Sequence, residues 1–394
     1  MGQTFSTRNE ALFRTSLSDT QRVNSELNHQ EYLRQSMVLA SRPRRLVFEL
    51  TNRCNFHCIM CGREAAQFTG CDLPLAVIQR FEPWFPHIEE VTLHGWGEGT
   101  LHPEFTAILA YLNRFPTLRK YFVTNGSTLD HIAEPVFRHH VDLIALSLDG
   151  ASAATNDGIR KNGSLERQLA SLRRLLAEKQ RRGLDYPYVN FVFTAMRRNL
   201  AELPAMVDLA HQLGVPEIKV VYLTIFTPEL LAETLLDRQA EVRAVFAEAR
   251  HRAESRGIKL KLPEIQGEGE AGAADHRTCP FPWRDLYVGS DGQLRPCQSS
   301  PLQLGSVLEG ESLQQVWNSP AMQALRRGVN DEVSMPAGCR RCYHSSSANY
   351  NLPHSFVQMQ LAFAPSWGQQ TEAEPAPAVA VGDFCLVQPT AATN

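Results

Sequence analysis

Nine cysteines are the side chains with the clearest capacity for chemistry in this chain of 394 residues. Seven of them form two groups: Cys54, Cys58 and Cys61, and later Cys279, Cys297, Cys339 and Cys342. Thiolates are soft ligands that bind zinc or iron–sulfur clusters. In a chain without signs of secretion, grouped cysteines indicate metal ligation rather than disulfide bonds.

The first group has the spacing C-x3-C-x2-C and follows directly on a predicted strand at 46–51. A structural zinc site normally has four protein ligands. A four-iron cluster held by three thiolates instead keeps one iron open for another molecule. His57 could supply a fourth zinc ligand, although its ring falls inside the loop between two cysteines. The spacing therefore favours an iron–sulfur cluster, with zinc as the alternative.

Alternating strands and helices must position this loop. Predicted strands lie at 46–51, 91–94, 121–124, 141–148, 189–194 and 218–223, and the clearest helix spans 164–182, between a serine cap and a glycine stop. This alternation predicts a parallel sheet. Six such units predict a partial (β/α)6 TIM-like barrel of the α/β class, with its active-site groups at the C-terminal strand ends.

The cysteine loop resembles the cluster loop of the radical S-adenosylmethionine (SAM) superfamily. Three more segments resemble that family in the expected order, namely GWGEG after the second strand, TNG after the third and S-x-D after the fourth. The resemblance implies a barrel that holds a four-iron cluster on the first three cysteines. It also implies that SAM is bound by Gly95, Gly97, Glu98, Asn125, Ser147, Asp149 and Arg160.

Individual roles follow from the same resemblance. Glu98 would contact the SAM amino group, because a carboxylate is the natural partner of an ammonium. Ser147 would contact the SAM carboxylate or ribose, and Arg160 would supply a cation to the carboxylate. Asn125 belongs to a turn that positions the barrel rim. Cys71 is a candidate hydrogen donor in an epimerisation, with a small buried or surface thiol as the alternative.

The second cysteine group surrounds an apparent hairpin, DLYVGSDGQLRPC, and ends in Cys339-x2-Cys342. It resembles the auxiliary-cluster modules called SPASM and twitch. No further cysteine follows closely after Cys342, so we expect one auxiliary four-iron cluster with every iron ligated by cysteine. Four cysteines also suit tetrahedral zinc, which stays an alternative. Cys385 has no assigned role.

The predicted organisation has five parts. They are an N-terminal helical extension (1–40), the barrel (41–235), a helix and linker (236–277), a small α+β auxiliary-cluster domain (278–350), and a tail expected to be partly disordered (351–394). The net charge of -3 gives no basis for nucleic-acid binding. No apolar run reaches the roughly 18–20 residues of a membrane span, and the polar N-terminus lacks a signal-peptide core. We therefore expect a cytoplasmic protein without a membrane partner; the sequence does not determine the oligomeric state.

The resemblance implies that the reduced cluster cleaves SAM to a 5′-deoxyadenosyl radical that abstracts hydrogen from the substrate. An external reductant of flavodoxin or ferredoxin type would supply the electron. Our first hypothesis is dehydrogenation, epimerisation or a related rearrangement of a small polar metabolite, such as an aminocyclitol, sugar or nucleoside, in natural-product biosynthesis. The second module resembles that of dehydrogenases, and 40 residues are too few for a winged leader-peptide-binding domain. Alternatives are maturation of a ribosomal peptide recognised by a separate protein, sulfur insertion, or a zinc-stabilised binding protein.

Overall fold

The computed structural model describes residues 16–63, 70–263, 265, 279–298, 300, 302–306, 312–331, 333–336 and 339. The strands within these ranges are β1 (Arg45–Phe48), β2 (His57–Cys58), β3 (Glu90–Leu93), β4 (Arg119–Thr124), β5 (Leu143–Ser147), β6 (Arg160–Lys161), β7 (Tyr188–Ala195), β8 (Glu217–Tyr222), β9 (Lys259–Lys261), β10 (Asp285–Val288), β11 (Gln293–Arg295) and β12 (Gly305–Ser306).

Ten of these strands form one sheet in the order β12-β11-β10-β1-β3-β4-β5-β7-β8-β9. All neighbours from β10 through β1 to β9 are parallel, and β11 and β12 are antiparallel. The six predicted barrel strands correspond to β1, β3, β4, β5, β7 and β8. The prediction of a TIM-like α/β barrel is therefore confirmed, and β9 extends the parallel sheet beyond the six expected units.

The described ranges also contain α-helices, most of which pack on the main core. They are α1 (Asp19–Leu33), α2 (Leu75–Gln79), α3 (Phe105–Leu112), α4 (Leu129–Arg138), α5 (Ala153–Ile159), α6 (Leu165–Arg181), α7 (Leu203–Leu213), α8 (Gln239–Arg256), α9 (Phe281–Arg284), α10 (Leu313–Trp317) and α11 (Pro320–Gly328). Helix α6 begins after the capping hydroxyl of Ser164, as the sequence predicts. None of the helices in the described ranges is long and apolar enough to cross a membrane.

The two faces of β1 show how the sheet sorts its side chains. Leu46 and Phe48 are fully buried in the main core, where the Phe48 ring meets the Phe81 ring edge-on with centroids 5.2 Å apart. Because successive strand residues point to opposite faces, Val47 and Glu49 lie on the other face, towards the barrel interior. The sheet therefore has an apolar outer layer under the helices and a more polar interior.

Helix α1 attaches to the rest of the chain through buried polar side chains rather than an apolar stripe. Gln21 donates from Nε2 to the Ile88 carbonyl at 2.6 Å, and Asn28 donates from Nδ2 to the Trp283 carbonyl at 2.7 Å. Glu31 accepts a hydrogen bond from the Ala40 amide at 2.7 Å. Polar contacts of this kind leave no hydrophobic periodicity in the sequence. The sequence therefore predicted a helical extension but not how it attaches.

The hairpin that precedes Cys297 belongs to the barrel sheet. Strand β10 runs parallel to β1, with pairs from Arg45↔Asp285 to Phe48↔Val288, and β11 returns antiparallel beside it. From sequence, this segment is instead expected in a separate module. A pairing between strands about 240 residues apart leaves no local pattern from which it could be predicted.

Candidate active site at the barrel mouth

The first cysteine loop begins where β1 ends. Its strand β2 pairs with β6, so that Cys58 stands opposite Arg160, and the Cys61 amide donates to the Cys58 carbonyl at 3.0 Å. Cys54, Cys58 and Cys61 are all half-buried. Besides burial, the neighbouring Cys61 and Cys54 thiols raise the pKa of Cys58, so the three thiols lie near one another. The loop therefore brings the predicted ligands together.

Burial is the main influence on these thiols. It raises the pKa of Cys58 to about 12, against the opposing effect of Arg160, and it also raises the pKa of Cys54. Thiols in this state need a metal to displace their protons. Two N–H groups lie near the sulfurs, since Asn125 Nδ2 is 3.8 Å from Cys54 Sγ and Arg160 Nη1 is 3.9 Å from Cys58 Sγ. Such donors stabilise cluster thiolates, so the residues present fit an iron–sulfur cluster.

A single metal ion suits this loop less well. Sulfurs that share one zinc ion lie roughly 4 Å apart, as its bond lengths and tetrahedral geometry require. Across the described ranges, no group of three or more cysteine, histidine or acidic side chains could hold a metal ion. His57, the proposed fourth zinc ligand, is solvent-exposed. Three cysteine thiols are instead the ligand set of a four-iron cluster with one open iron.

The glycine-rich segment packs directly on the cysteine loop. A Cβ at Gly97 would lie 2.3 Å from the carbonyl oxygen of Thr51 and 2.4 Å from that of Arg53. The Glu98 amide donates to the same Arg53 carbonyl at 2.8 Å. Only glycine permits this approach of two backbones. The predicted SAM-binding segment and the cluster loop are therefore in direct contact at this point.

Glu98 has partners other than the predicted ammonium. Glu98 is 3% exposed. Its Oε1 accepts hydrogen bonds from the hydroxyls of Thr100 at 2.5 Å and Thr124 at 2.7 Å. Its Oε2 accepts one from the Asn125 amide at 2.6 Å. Both carboxylate oxygens are therefore engaged within the protein. In this conformation Glu98 holds the turn at 124–126, and its contact with the SAM ammonium stays a prediction.

Asn125 lies in the turn that Glu98 holds. Its Nδ2 donates to Asn55 Oδ1 at 2.9 Å, and its Oδ1 accepts from the Ser127 amide at 2.9 Å. Through Asn55 it contacts the cysteine loop, in addition to its approach to Cys54. Asn125 therefore joins the third strand's turn to the cluster loop, as expected for a residue that positions the rim.

Asp149 and Arg160 form a buried ion pair, with Arg160 Nη2 2.7 Å from Asp149 Oδ2. Asp149 is fully buried, and its Oδ1 accepts a hydrogen bond from the Thr194 amide at 2.7 Å. Burial raises the pKa of Asp149, and Arg160 opposes that rise. Asp149 therefore orients Arg160, and its own contact with SAM stays a prediction.

Arg160 keeps donor capacity for a ligand. Its buried Nε has no hydrogen-bond partner among the described residues, and burying an unpaired donor is costly. A ligand carboxylate would satisfy it, as the predicted contact with SAM requires. Ser147 ends β5 two residues before Asp149 and is half-buried, at the C-terminal strand end where the sequence places it.

The second cysteine group is only partly described. Cys279, Cys297 and Cys339 are half-buried, and the Cys279 amide donates to Asn330 Oδ1 at 2.6 Å. Cys297 follows β11 by two residues. Cys342 and Cys385 lie outside the described residues, so the complete ligand set stays a prediction.

Cys71 lies beside the first cysteine loop. Its amide donates to Asn52 Oδ1 at 2.6 Å, and its carbonyl accepts from the Thr51 hydroxyl at 2.9 Å. The residue is buried, at 2% exposed. Its role as a hydrogen donor stays a prediction.

Sequence reasoning missed an apolar cluster over the cysteine loop. Phe226 packs edge-on against Trp96, with ring centroids 5.8 Å apart, and a Cβ at Gly62 would lie 2.9 Å from the Phe226 ring. Ile59 and Met60, between Cys58 and Cys61, pack on the same cluster. Glu49 is a second residue that was not predicted. The alternation of side chains along β1 would have placed it on the face towards the barrel interior.

Comparison with known families agrees with this geometry. The model of the radical SAM superfamily matches residues 48–210, and the model of SPASM, an iron–sulfur cluster-binding domain, matches residues 279–343. The chain is a radical SAM enzyme with a C-terminal SPASM domain. Its cofactors are SAM and a four-iron cluster in the barrel, with auxiliary iron–sulfur binding in the SPASM domain.

Relatives match this radical SAM enzyme over 43% to 80% of its length. The AdoMet-dependent heme synthase of Methanosarcina barkeri is 25% identical over 343 residues, which cover 80% of this chain and 96% of the relative. The PqqA peptide cyclase of Gluconobacter oxydans is 24% identical over 324 residues, covering 78% and 84%. The mycofactocin maturase MftC of Mycobacterium tuberculosis is 30% identical over 178 residues, covering 43% and 42%.

Solved structures share the fold. Streptococcus suis SuiB bound to its precursor peptide SuiA has a TM-score of 0.57 and 14% identity, over 77% of this chain and 71% of that one. SuiB bound to S-adenosylmethionine has a TM-score of 0.58 and 14% identity, over 78% and 72%. At this identity the likeness establishes the architecture alone.

Proposed function

We propose that this radical SAM enzyme modifies a ribosomally made peptide. The observation that carries the proposal is the match to the PqqA peptide cyclase, which extends over 84% of that relative. The MftC maturase supports it over a shorter segment at higher identity. The comparisons thus support the peptide alternative better than our first hypothesis of a small polar metabolite.

The apolar cluster at the barrel mouth is consistent with a peptide. Trp96, Met60 and Phe226 belong to one apolar group above the cysteine loop. An aliphatic or aromatic side chain of a peptide could bury apolar surface against such a group, whereas an aminocyclitol or sugar would need polar partners there. Recognition of the rest of the peptide by a separate protein remains part of the proposal.

The chain's own residues divide the work of binding and orientation. Arg160, held by Asp149, would bind the SAM carboxylate, and the backbone at Gly95 and Gly97 would lie along its methionine part. When bound, SAM and the cluster supply the 5′-deoxyadenosyl radical that removes a hydrogen atom from the substrate. Radical SAM enzymes require a one-electron reductant, which we propose to be of flavodoxin or ferredoxin type.

A second candidate substrate is a tetrapyrrole. The heme synthase relative is covered over 96% of its length, and an Fe-coproporphyrin III synthase from the same organism is 26% identical over 180 residues. A tetrapyrrole ring could also lie on the apolar cluster. Its carboxylates would need further cations, which distinguishes this candidate from an apolar peptide side chain.

One experiment separates the two candidates. Anaerobically reconstituted enzyme is supplied with SAM and a reductant, and either with small peptides encoded beside its gene or with iron coproporphyrin. A peptide that loses hydrogen, together with transfer of deuterium from a labelled residue into 5′-deoxyadenosine, supports the proposal. Conversion of the porphyrin alone, or deuterium transfer only from a small sugar-like metabolite, contradicts it.

A further inference from the structure

Glu49, the first residue after β1, is a buried carboxylate that the cofactor chemistry above does not use. It is 4% exposed and its two oxygens contact two different parts of the molecule. Oε1 accepts a hydrogen bond from the Trp96 amide at 2.7 Å. Oε2 accepts one from the Ser290 amide at 3.0 Å and one from the Ser290 hydroxyl at 2.9 Å.

The first contact lies inside the SAM-binding segment. Trp96 stands between Gly95 and Gly97, and a Cβ at Gly95 would lie 2.3 Å from Cγ of Glu49. The segment therefore packs against Glu49 on one side and, through Gly97, against the cysteine loop on the other. A movement of Glu49 must move this segment.

The second contact lies in the SPASM domain, at the turn between β10 and β11. This turn is held by hydrogen bonds from the Gly289 amide to the Gln293 carbonyl and from the Gly292 amide to the Gly289 carbonyl, both at 2.9 Å. An ion pair between Asp291 and Arg295 braces it further. Strand β11 then leads from the turn to Cys297, so the turn moves with a predicted auxiliary-cluster ligand.

We propose that Glu49 is a positioning residue that couples the SPASM turn at 289–292 to the SAM-binding segment at 95–97. Through it, the auxiliary-cluster domain sets the position of the Trp96 backbone and thereby the affinity for SAM. A carboxylate suits this role because it accepts hydrogen bonds on both oxygens, and bonds to a charged acceptor are stronger than neutral ones. The coupling concerns SAM binding alone and does not depend on which substrate the enzyme modifies.

The test replaces the carboxylate by its amide. In Glu49→Gln the new NH₂ group faces either the Ser290 amide or the Trp96 amide, donor against donor, so one of the two contacts is lost. We expect the dissociation constant for SAM, measured on the reconstituted enzyme without substrate, to rise about tenfold, as for the loss of one charge-assisted hydrogen bond. Hydrogen exchange in the chain without SAM should accelerate in both peptides, the one with Trp96 and the one with Ser290.

Asp285→Asn is the matched control. Asp285 lies in β10 and forms an ion pair with Arg45 of β1, so it joins the same two strands at the end far from the site. We expect this variant to lower the unfolding temperature while keeping the dissociation constant for SAM within about twofold of wild type. An equal effect of both variants on SAM affinity would mean that the strand pairing, and not Glu49, matters.

Ser290→Ala provides the second variant, which decides the question if Glu49→Gln does not fold. It removes one of the two Ser290 contacts and changes nothing in the SAM-binding segment. Any weakening of SAM binding must therefore act through Glu49. Its effect should disappear in the Glu49→Gln background, because coupled residues are not additive. Unchanged SAM affinity in Ser290→Ala, or additive effects in the double variant, overturns the proposal.

Discussion

Replacing Gly97 by alanine should separate the cysteine loop from the SAM-binding segment. The new Cβ would lie 2.3 Å from the Thr51 carbonyl oxygen, 2.4 Å from that of Arg53 and 2.8 Å from the carbonyl carbon of Asn52. Ordinary contact begins at 3.4 Å, so one backbone must move by about 1 Å. Because the obstructing atoms are backbone, no side-chain rotation can relieve the clash.

A displacement of this size should cost about 100-fold in the rate of SAM cleavage, since reacting groups misplaced by about 1 Å lose roughly that factor. The assay measures 5′-deoxyadenosine released by anaerobically reconstituted enzyme with SAM and dithionite, normalised to the iron bound. Normalisation matters because the same displacement can reduce loading of the cluster.

The neighbouring Gly99 offers a matched control. A Cβ there would meet only Cδ1 of Leu50, at 4.0 Å, so Gly99→Ala should cleave SAM at the wild-type rate within about twofold. The reasoning is refuted if Gly97→Ala cleaves SAM as fast as wild type, or if both substitutions are equally damaging.

Three further predictions concern single side chains. Cys58→Ala should abolish SAM cleavage, whereas Cys339→Ala should retain uncoupled cleavage and lose the product; equal and complete loss in both would make the second site mainly structural. Arg160→Lys should weaken SAM binding about tenfold in a titration, because lysine cannot replace a forked donor; unchanged affinity would contradict this role. Burial alone would raise the pKa of Asp285, but Arg284 and Arg45 lower it to about 2. At pH values above its ordinary pKa of 3.8, the ionised form of Asp285 therefore contributes about 2 kcal/mol to the free energy of unfolding. This contribution is lost as the pH falls towards 2. Thermal unfolding of Asp285→Asn should lack this acid dependence.

Much of the barrel could be predicted because its strands and helices have local signatures. Helix α6 begins after Ser164, as predicted, and strand β5 ends at Ser147, one residue before the predicted end. The cysteine loop and the glycine segment were found for the same reason, since each is one short run of residues at a strand end. Strands β9 and β10 are short, at three and four residues, and were not assigned to the barrel sheet.

The protein partners of side chains were harder to predict than the positions of those side chains. Glu98 and Asp149 lie at the expected strand ends, yet both carboxylates are buried and engaged with protein donors. Each points to a partner from a distant segment, Asn125 for Glu98 and Thr194 for Asp149. Sequence order gives the strand on which a carboxylate lies but not the donors that surround it.

The sequence alone determined three features: the types and spacing of the cysteines, the period of the strands, and the positions of the glycines in the SAM-binding segment. Each of these depends on neighbours within a few residues. Tertiary structure decided that β10 pairs with β1, that Asp149 holds Arg160, and that Glu49 lies between Trp96 and Ser290. The physical reason is that buried polar groups take whichever donors the fold brings to them, and those donors come from segments 11 to 241 residues away along the chain.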